Sequence, residues 1–301
     1  MVNKQTISIT GASGFVGTNL KVYLQDDYKI QPMRVRFIEN QNIDIHGDAI
    51  IHLAGKAHDL KKVSQPADYY KANFELTKQL FDAFLLSDCK VFVFLSTVKA
   101  VTDKVVGVLS EEAIPSPKTH YGIAKLQAEQ YILSQELPQE KRVYILRPCM
   151  IHGPGNKGNL NLLYKIVEKG LPWPLGSFEN QRSFLSVENL CFVIKELIEN
   201  KFIPSGVYQV ADNEPLSTNE LIELLGMVLG KTNKIWRINA SFIHSISKIG
   251  DRFSLPLNTE RLQKLTENYV VSNAKILAAI NKPLPINTKE GLLKTFKSFK
   301  N

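Results

Sequence analysis

Apolar positions in the first half of the chain switch repeatedly between the period of a strand and the period of a helix. An alternating run at 7–10 is followed by Leu20, Tyr23 and Leu24 at helical spacing. Further strands are predicted at three largely apolar runs, and further helices at two longer periodic segments: 49–53, 91–95 and 143–146, and 69–86 and 120–136. This alternation predicts an α/β fold with a doubly wound parallel sheet covered by helices on both faces.

Three glycines spaced by three residues, Gly11, Gly14 and Gly17, lie where the first predicted strand meets the first helix. Gly11 would allow a tight turn, Gly14 a close approach to phosphate, and Gly17 close packing of helix on strand. Unpaired N–H groups and the dipole at a helix N-terminus favour a pyrophosphate there. The pattern predicts a Rossmann-type dinucleotide site, and a glycine turn at the edge of any sheet is the alternative.

A second strand is predicted at 28–37, with Arg34 and Arg36 near its end. An acidic residue at this place holds the adenosine ribose of NAD, whereas an arginine suits the 2′-phosphate of NADP. The second strand contains no Asp or Glu, so the sequence favours NADP(H), with Arg34 as the main contact. NAD(H) stays open, because Glu39 could turn back, an arginine could stack on adenine, or both arginines could be solvated.

The connection after the second strand is short. Residues 38–48 alone separate it from the next strand, whereas a parallel crossover needs a dozen or more residues. We therefore expect a reduced or missing helix, with Asp44 and Ile45 closing a stub of strand. The following strand ends at Ala54 and Gly55, small residues that leave room for a cofactor across the strand end.

Two hydroxyl residues, Ser96 and Thr97, come directly after a buried apolar strand, at the sheet edge where such folds bind ligands. In the next predicted helix, Tyr121 and Lys125 are four residues apart and share one face. An ammonium group lowers the pKa of a nearby phenol, and a threonine hydroxyl can hold a substrate oxygen beside it. The combination predicts acid–base assistance to hydride transfer with a nicotinamide. Tyr-x-x-x-Lys alone could equally be a half-buried tyrosine and a solvated lysine.

The strict alternation weakens after residue 150, where irregular segments rich in glycine and proline begin. We expect a dinucleotide-binding Rossmann domain at 1–150, with a returning segment near 182–212. A smaller, interleaved substrate-binding lobe is expected at 151–301.

Composition and charge narrow the class of protein. The 301 residues are 44% hydrophobic and 22% charged, as in a globular protein, and the net charge is +8. The basic residues form no Lys/Arg run and no zinc spacing occurs, which argues against nucleic acid as a partner. Cys89, Cys149 and Cys191 are odd in number and far apart. With no signal peptide and no apolar run long enough to span a membrane, we expect buried free thiols and a cytoplasmic location.

Seven motifs in order make the sequence resemble the extended short-chain dehydrogenase/reductases, specifically the NAD-dependent epimerase/dehydratase group. They are the glycine turn, His52-Leu53-Ala54-Gly55, Phe94-Leu95-Ser96-Thr97, Tyr121 to Lys125, Arg147-Pro148, Ile151-His152-Gly153-Pro154-Gly155 and Arg182 to Leu190. The resemblance implies that Thr97, Tyr121 and Lys125 are catalytic. It also implies a cofactor site made of Gly11, Ser13, Gly14, Phe15, Val16, Gly17, Arg34, Asp44, Ile45, Leu53, Ala54, Gly55, Ser96, Tyr121, Lys125 and Pro148.

A nucleotide-sugar site is implied in the second lobe. Asn159 and Arg182 would meet the diphosphate, a role that suits guanidinium geometry, and Thr97 would hold the sugar oxygen. Trp173 and Leu175 fall in the segment that lies along the nucleobase in similar proteins, and packing between the lobes is their alternative role.

The resemblance also bears on the reaction. Val98 and Lys99 stand where similar 4,6-dehydratases carry an Asp-Glu pair, which argues against a dehydratase. The segments 170–176 and 182–190 are most similar to bacterial surface-polysaccharide enzymes, which implies reduction of the 4-keto group of a UDP-linked 6-deoxy-N-acetylhexosamine. The alternative function is that of a nucleotide-sugar 4-epimerase with tightly bound NAD. A third hypothesis is a non-catalytic NADPH-sensing protein.

A homodimer is a further expectation from the resemblance. Similar proteins often associate through the helix that carries the tyrosine and the helix before the catalytic strand. Here that contact would use faces around Phe81, Phe84 and Tyr131. The expected partners are a nucleotide-sugar substrate and a second copy of the chain, with no nucleic acid, no membrane span and no metal.

Overall fold

A computed structural model describes residues 4–57, 65–156, 158–253 and 258–300. The strands in these residues are β1 Thr6–Thr10, β2 Lys29–Met33, β3 Ala49–His52, β4 Val91–Leu95, β5 Val108–Leu109, β6 Arg142–Pro148, β7 Met150–His152, β8 Phe184–Ser186, β9 Gly206–Val210 and β10 Val270–Val271. Six of them form one parallel sheet in the order β2–β1–β3–β4–β6–β9. The strand order reverses at β1, which opens a ligand crevice at the carboxyl ends of β1 and β3.

The helices in the described residues are α1 Phe15–Leu24, α2 Pro66–Tyr70, α3 Leu76–Leu86, α4 His120–Ser134, α5 Asn159–Glu168, α6 Val187–Glu199, α7 Thr218–Leu229, α8 Ala240–Phe253, α9 Thr259–Thr266, α10 Ala274–Ile280 and α11 Thr288–Lys297. A π-helical turn, Lys71–Glu75, joins α2 to α3, and a 3₁₀ turn, Val98–Ala100, follows β4. A second 3₁₀ turn, Ser298–Lys300, follows α11.

Alternate residues of the buried strands face two different cores. In β4, Val91 and Val93 pack with α1 and α6 on one face, whereas Phe92 and Phe94 pack with α3 and α4 on the other. Both faces of the sheet are therefore covered, and the predicted doubly wound α/β fold is confirmed. Strand β9 adds to the far edge beside β6, so the chain returns to the sheet after residue 150.

The second strand is shorter than predicted. Hydrogen bonding to β1 ends at Met33, so Arg34 and Arg36 lie beyond the strand and are exposed. Pro32 is tolerated in β2 because this strand is at the sheet edge. Val35 and Phe37 alternate with the two arginines and pack against the core of α3. The alternation typical of a strand therefore continues past Met33, although the hydrogen bonds to β1 do not.

The connection to β3 contains no helix, as predicted, but the expected stub of strand at Asp44 and Ile45 is wrong. Residues 34–48 are irregular, and Ile45 is buried in the core of α3. Gln79 of α3 donates to the carbonyl of Ile38 at 2.7 Å. The segment therefore packs beside α3 on one face of the sheet, where a crossover helix would otherwise lie.

A separate core lies in the second half of the chain. It joins α5, α7, α8, α9 and α11 around Trp173 and Phe184. Two short parallel pairs, β7 with β8 and β5 with β10, connect this region to loops at the carboxyl edge of the main sheet. The capping box at Ser217 and Glu220, with bonds of 3.1 and 2.7 Å, starts α7.

Two smaller expectations have clear outcomes. The three cysteines are buried and free, as predicted. Phe81 and Phe84 are wrong as dimer contacts, because both are fully buried and pack against the ring of Phe92, with centroids 5.1 and 5.3 Å away. Tyr131 is occupied by a hydrogen bond to Asp82.

Candidate active site

The turn between β1 and α1 leaves backbone N–H groups available for an anion. Gly11 has φ +67°, and a Cβ there would lie 2.7 Å from the Ala54 nitrogen. A Cβ at Gly17 would lie 2.4 Å from the carbonyl oxygen of Gly11. Helix α1 begins after Gly14 with no side-chain cap and no acidic residue in its first turn. These features fit a pyrophosphate at the helix N-terminus.

A buried hydrogen-bond chain fixes the ends of β1 and β3 beside this turn. Thr10 Oγ1 accepts from the Ala54 N–H at 3.1 Å and lies 2.7 Å from His52 Nδ1. His52 Nε2 lies 2.9 Å from Thr77 Oγ1, whose hydroxyl donates to the carbonyl of Asn73. Every donor and acceptor in this series of hydrogen bonds is satisfied when the Thr10 hydroxyl donates to Nδ1 and the Nε2–H of His52 donates to Thr77. Burial holds the pKa of His52 well below its usual range, so the imidazole is neutral.

Asn73 organises the turn after β3. Its side chain donates to the carbonyls of Lys56 and Tyr69 at 3.1 and 3.0 Å, and accepts from the Lys56 N–H at 3.0 Å. A Cβ at Gly55 would lie 2.6 Å from the Asn73 oxygen and 3.3 Å from the ammonium nitrogen of Lys125. The lack of a side chain at Gly55 therefore keeps the edge of β3 close to Lys125.

The structure brings Thr97, Tyr121 and Lys125 together at the carboxyl end of β4. The Thr97 hydroxyl lies near enough to the Tyr121 phenol to oppose the rise of its pKa. Lys125 is buried, donates to the carbonyl of Leu95 at 2.8 Å and lies 4.5 Å from the centroid of the Phe94 ring. A hydroxyl, a phenol and an amine thus lie beside the predicted dinucleotide turn, which is the geometry an acid–base site needs.

Local sequence explains how α4 reaches this position. Thr119 accepts from the Gly122 N–H at 3.1 Å, so α4 starts at His120 and holds Tyr121 in its first turn. A Cβ at Gly122 would lie 2.4 Å from the carbonyl oxygen of Lys99. Gly122 therefore lets α4 pack directly on the turn that carries Thr97.

Burial favours the neutral forms of both Tyr121 and Lys125. It raises the pKa of Tyr121 to about 12, although the nearby Thr97 hydroxyl acts in the opposite sense. It lowers the pKa of Lys125 to about 7, and the nearby carboxylate of Glu129 acts against this change. Near neutral pH the tyrosine is therefore a phenol, and the lysine is present in both protonation states.

Glu129 and Arg147 form a buried pair behind the site that sequence reasoning missed. The Arg147 Nε donates to both oxygens of Glu129 at 3.1 and 3.0 Å, and the Ser96 hydroxyl donates to the same carboxylate. Glu129 is four residues after Lys125, so the helical spacing placed it on the catalytic face. The sequence does not show that Arg147 is its partner, so this glutamate could not be distinguished there from a solvated one.

The other predicted cofactor residues are distributed along the same sheet edge. Leu53 and Ala54 follow β3, Ser96 follows β4, and Pro148 ends β6. Ser13 is exposed in the glycine turn, whereas Phe15 and Val16 are partly buried against the core beneath α1. Asp44 is exposed, while the side chain of Ile45 is committed to the core.

Trp173 and Leu175 pack inside the second core. Both side chains are 3% exposed, and the Trp173 indole N–H donates to Asn219 at 3.0 Å. Their backbones pair with Ile235 and Arg237. The structure therefore places both side chains inside the second core and not between the lobes, and a place of their segment beside a nucleobase stays a prediction.

Arg182 lies where the two parts of the chain meet. Its backbone exchanges hydrogen bonds with Leu216 at 3.0 and 2.9 Å. Its guanidinium donates to the carbonyl of Lys264 and lies 3.9 Å from Glu267. Burial lowers its pKa, and Glu267 opposes the shift. Asn159 starts α5 and is exposed, and the substrate roles of both residues stay predictions.

Comparison with known proteins assigns the family. The model of the NAD dependent epimerase/dehydratase family matches residues 7–211. The chain belongs to this family, within the extended short-chain dehydrogenase/reductases. It is 30% identical over 256 residues to a UDP-glucose 4-epimerase of Vibrio cholerae, covering 75% of this chain and 76% of that one. It is 28% identical over 241 residues to a GDP-6-deoxy-D-mannose reductase of Pseudomonas aeruginosa, covering 73% and 79%.

Solved structures support the fold. RMD from Pseudomonas aeruginosa, complexed with NADPH, has a TM-score of 0.73 and 23% identity, with 99% of each chain covered. WbmG from Bordetella bronchiseptica, in complex with NAD, has a TM-score of 0.75 and 15% identity, with 99% of this chain and 95% of that one covered. At these identities the likeness establishes the Rossmann-type architecture.

Proposed function

We propose that the protein is an NADPH-dependent reductase of a nucleotide sugar. Its substrate in this proposal is the 4-keto group of a UDP-linked 6-deoxy-N-acetylhexosamine used in surface-polysaccharide synthesis. The observation that carries the proposal is the arrangement of Thr97 after β4 with Tyr121 and buried Lys125 on α4, where Lys125 donates to the carbonyl of Leu95. Membership of the epimerase/dehydratase family supports a nucleotide-sugar substrate. The similarity to a relative named UDP-glucose 4-epimerase supports UDP as its nucleotide.

The residues present fit a nicotinamide dinucleotide. The uncapped N-terminus of α1 and the glycine turn suit its pyrophosphate, and Ala54, Gly55, Ser96 and Pro148 would line the remainder. When bound in reduced form, the cofactor supplies the hydride that the carbonyl carbon accepts.

Each of the three catalytic residues has a distinct role in this proposal. Tyr121, a phenol at neutral pH, donates its proton to the carbonyl oxygen as that oxygen gains electron density. The hydroxyl of Thr97 holds the same oxygen. The protonated fraction of Lys125 stabilises the tyrosinate that the transfer leaves behind, and the carboxylate of Glu129 sustains that fraction.

The two parts of the chain divide the work in this proposal. Residues 1–150, with the segment near 182–212, hold the cofactor, and residues 151–301 mainly hold the sugar nucleotide. Arg182 and Asn159 contact the diphosphate. Since Trp173 and Leu175 are buried, any contact of their segment with the nucleobase comes through its backbone.

A 4-epimerase with tightly bound NAD is the second candidate, favoured by the Vibrio cholerae relative. The two functions differ in cofactor use, because a reductase consumes one NADPH for each product and an epimerase regenerates its cofactor within each turnover. Purified protein would be supplied with the UDP-linked 4-keto sugar and NADPH, and separately with UDP-glucose or UDP-N-acetylglucosamine alone.

The reductase proposal predicts stoichiometric NADPH oxidation with the keto sugar. It predicts no reaction with UDP-glucose or UDP-N-acetylglucosamine alone. Interconversion of C4 epimers without added cofactor, by protein that retains nicotinamide on purification, would establish the epimerase. NADPH binding without turnover of any of these sugars would instead indicate a sensing protein.

A further inference from the structure

Helix α8 has two apolar faces, and only one of them is covered. Ile243, with Ser247 and Gly250, is buried where α8 packs on α9. A second set, which we call the outer stripe, consists of residues at positions i, i+4, i+7 and i+11: Phe242, Ile246, Ile249 and Phe253. At about 100° per residue they lie within an arc of about 60°. Phe242, Ile249 and Phe253 are 59%, 54% and 67% exposed, which is unusual for large apolar side chains on one helix face.

Positive charge is concentrated in the part of the sequence that contains this stripe. Residues 231–264, which we call the basic segment, contain seven Lys or Arg and two Asp or Glu. The segment therefore carries a net charge of +5, out of +8 for all 301 residues. On α8 itself, Lys248 and Arg252 lie beside the outer stripe on the next face of the helix.

The acidic residues of the basic segment are engaged by other groups. Asp251 accepts hydrogen bonds from the N–H and the hydroxyl of Thr259 at 2.9 and 2.6 Å. Glu260 pairs with Lys264 at 2.6 Å. In the part of the chain that the structure describes, no ion pair joins Lys248 or Arg252 to a carboxylate.

Trp236, also in the basic segment, adds an amphipathic ring. It is 50% exposed, while its backbone N–H is held by the carbonyl of Trp173 at 2.8 Å. The chain contains two tryptophans, and the other, Trp173, is buried. The exposed indole is therefore a reporter for whatever covers this part of the basic segment.

We propose that the basic segment docks the protein on an anionic phospholipid bilayer, with the outer stripe of α8 at the boundary between headgroups and acyl chains. Aromatic and aliphatic residues on one face with Lys and Arg beside them are the composition of helices that lie in a membrane interface. A second copy of the chain suits this surface less, because it would bring two segments of charge +5 together. No helix in the described ranges has the length and hydropathy to cross a bilayer, so the association is peripheral.

Full-length protein would be sedimented with vesicles of phosphatidylcholine alone or of phosphatidylcholine and phosphatidylglycerol in equal parts. Binding is expected only to the anionic vesicles, weakening as salt screens the charges. Phe242→Ser with Ile249→Ser, and separately Lys248→Glu with Arg252→Glu, should each weaken it at least about tenfold. Phe202→Ser with Val22→Ser is the matched control, because those side chains are 83% and 62% exposed in other elements.

Brominated acyl chains provide the positional test. They should quench tryptophan fluorescence of the wild type on anionic vesicles, and Trp236→Phe should abolish that quenching. Equal binding by the stripe variants and the control would overturn the proposal, as would absence of binding to anionic vesicles. A dimer that the stripe variants dissociate, without vesicle binding, would assign the surface to a second copy instead. Substrate is absent throughout, so the outcome is independent of the proposed reaction.

Discussion

At the scale of single residues, the candidate site depends on burial acting on two neighbouring groups. Tyr121 and Lys125 share a face of α4, and the low-dielectric surroundings favour the uncharged form of each. Near neutral pH the tyrosine therefore carries a proton, although the same burial makes the phenol a weaker acid. This state suits reduction of a carbonyl, for which the proton must come from the protein.

Tyr121→Phe should remove about 10²–10⁴-fold of turnover, because only the phenolic proton is lost. Cofactor affinity should stay nearly unchanged, since the ring and α4 are kept. Steady-state kinetics and titration with NADPH would measure the two effects. Tyr131→Phe is the matched control on the same helix, where the hydroxyl bonds Asp82, and it should keep turnover. Activity of Tyr121→Phe within a few-fold of wild type would exclude it as the acid.

Arg34→Ala should reduce the preference for NADPH over NADH. The exposed guanidinium beyond β2 is placed where it could meet the 2′-phosphate, and a charge-assisted contact of about 1.5–3 kcal/mol corresponds to roughly 10- to 150-fold in the ratio of kcat/KM. Lys29→Ala, at the opposite end of β2, should leave the ratio unchanged. A wild type that prefers NADH would reject this role.

At the scale of elements, the sequence predicted best where both faces of a strand are buried. The runs that became β4 and β6 are apolar throughout, so their pattern had one interpretation. The end of β2 was misjudged because Val35 and Phe37 keep the period of a strand while packing beside α3. Pairing depends on a neighbouring strand, which periodicity does not contain.

The site was predicted in the same uneven way. Thr97, Tyr121 and Lys125 could be found because motif order and helical spacing place them at one sheet edge. Glu129 and the π-helical turn around Asn73 could not, because both depend on partners distant in sequence, Arg147 and Lys56. Trp173 gave no local sign of whether it faced a ligand or a core.

Gly122→Ala tests how closely α4 must approach the turn carrying Thr97. Its Cβ would lie 2.4 Å from the backbone oxygen of Lys99, so α4 must move away and separate Tyr121 from Thr97. A displacement near 1 Å costs about 10²-fold in rate, and overpacking costs about 1–3 kcal/mol of stability. Kinetics and thermal unfolding would measure both. Gln130→Ala, exposed on the same helix, should change neither, and full activity in Gly122→Ala would show that the close contact is unnecessary.

At the scale of the whole molecule, the site is assembled from parts far apart in the chain. The β7–β8 and β5–β10 pairs tie the second core to loops at the sheet edge. Tyr269 reinforces this connection, since its hydroxyl donates to the carbonyl of Thr102 at 2.7 Å. Arg182 bridges Leu216 and Tyr269 through its backbone, and its guanidinium lies against the carbonyl of Lys264 and the carboxylate of Glu267.

Arg182→Ala should raise KM for the nucleotide sugar by roughly 10- to 150-fold, the loss of about 1.5–3 kcal/mol of charge-assisted bonding. KM for the cofactor should change little, because Arg182 is proposed to contact the diphosphate of the sugar nucleotide and not the cofactor. The KM of Arg182→Lys for the nucleotide sugar should lie between those of the wild type and Arg182→Ala, since lysine keeps the charge but not the paired donors. A change confined to cofactor affinity would contradict this placement of the second lobe.

The most direct test of the proposed reaction follows the hydride itself. NADPH carrying deuterium at the transferable C4 position would be incubated with the UDP-linked 4-keto-6-deoxy-N-acetylhexosamine, and the product examined by NMR. The proposal predicts one deuterium at sugar C4 for each NADPH oxidised, with the rate collapsing in Tyr121→Phe. Product without deuterium at C4, or sugar conversion without NADPH oxidation, would contradict it.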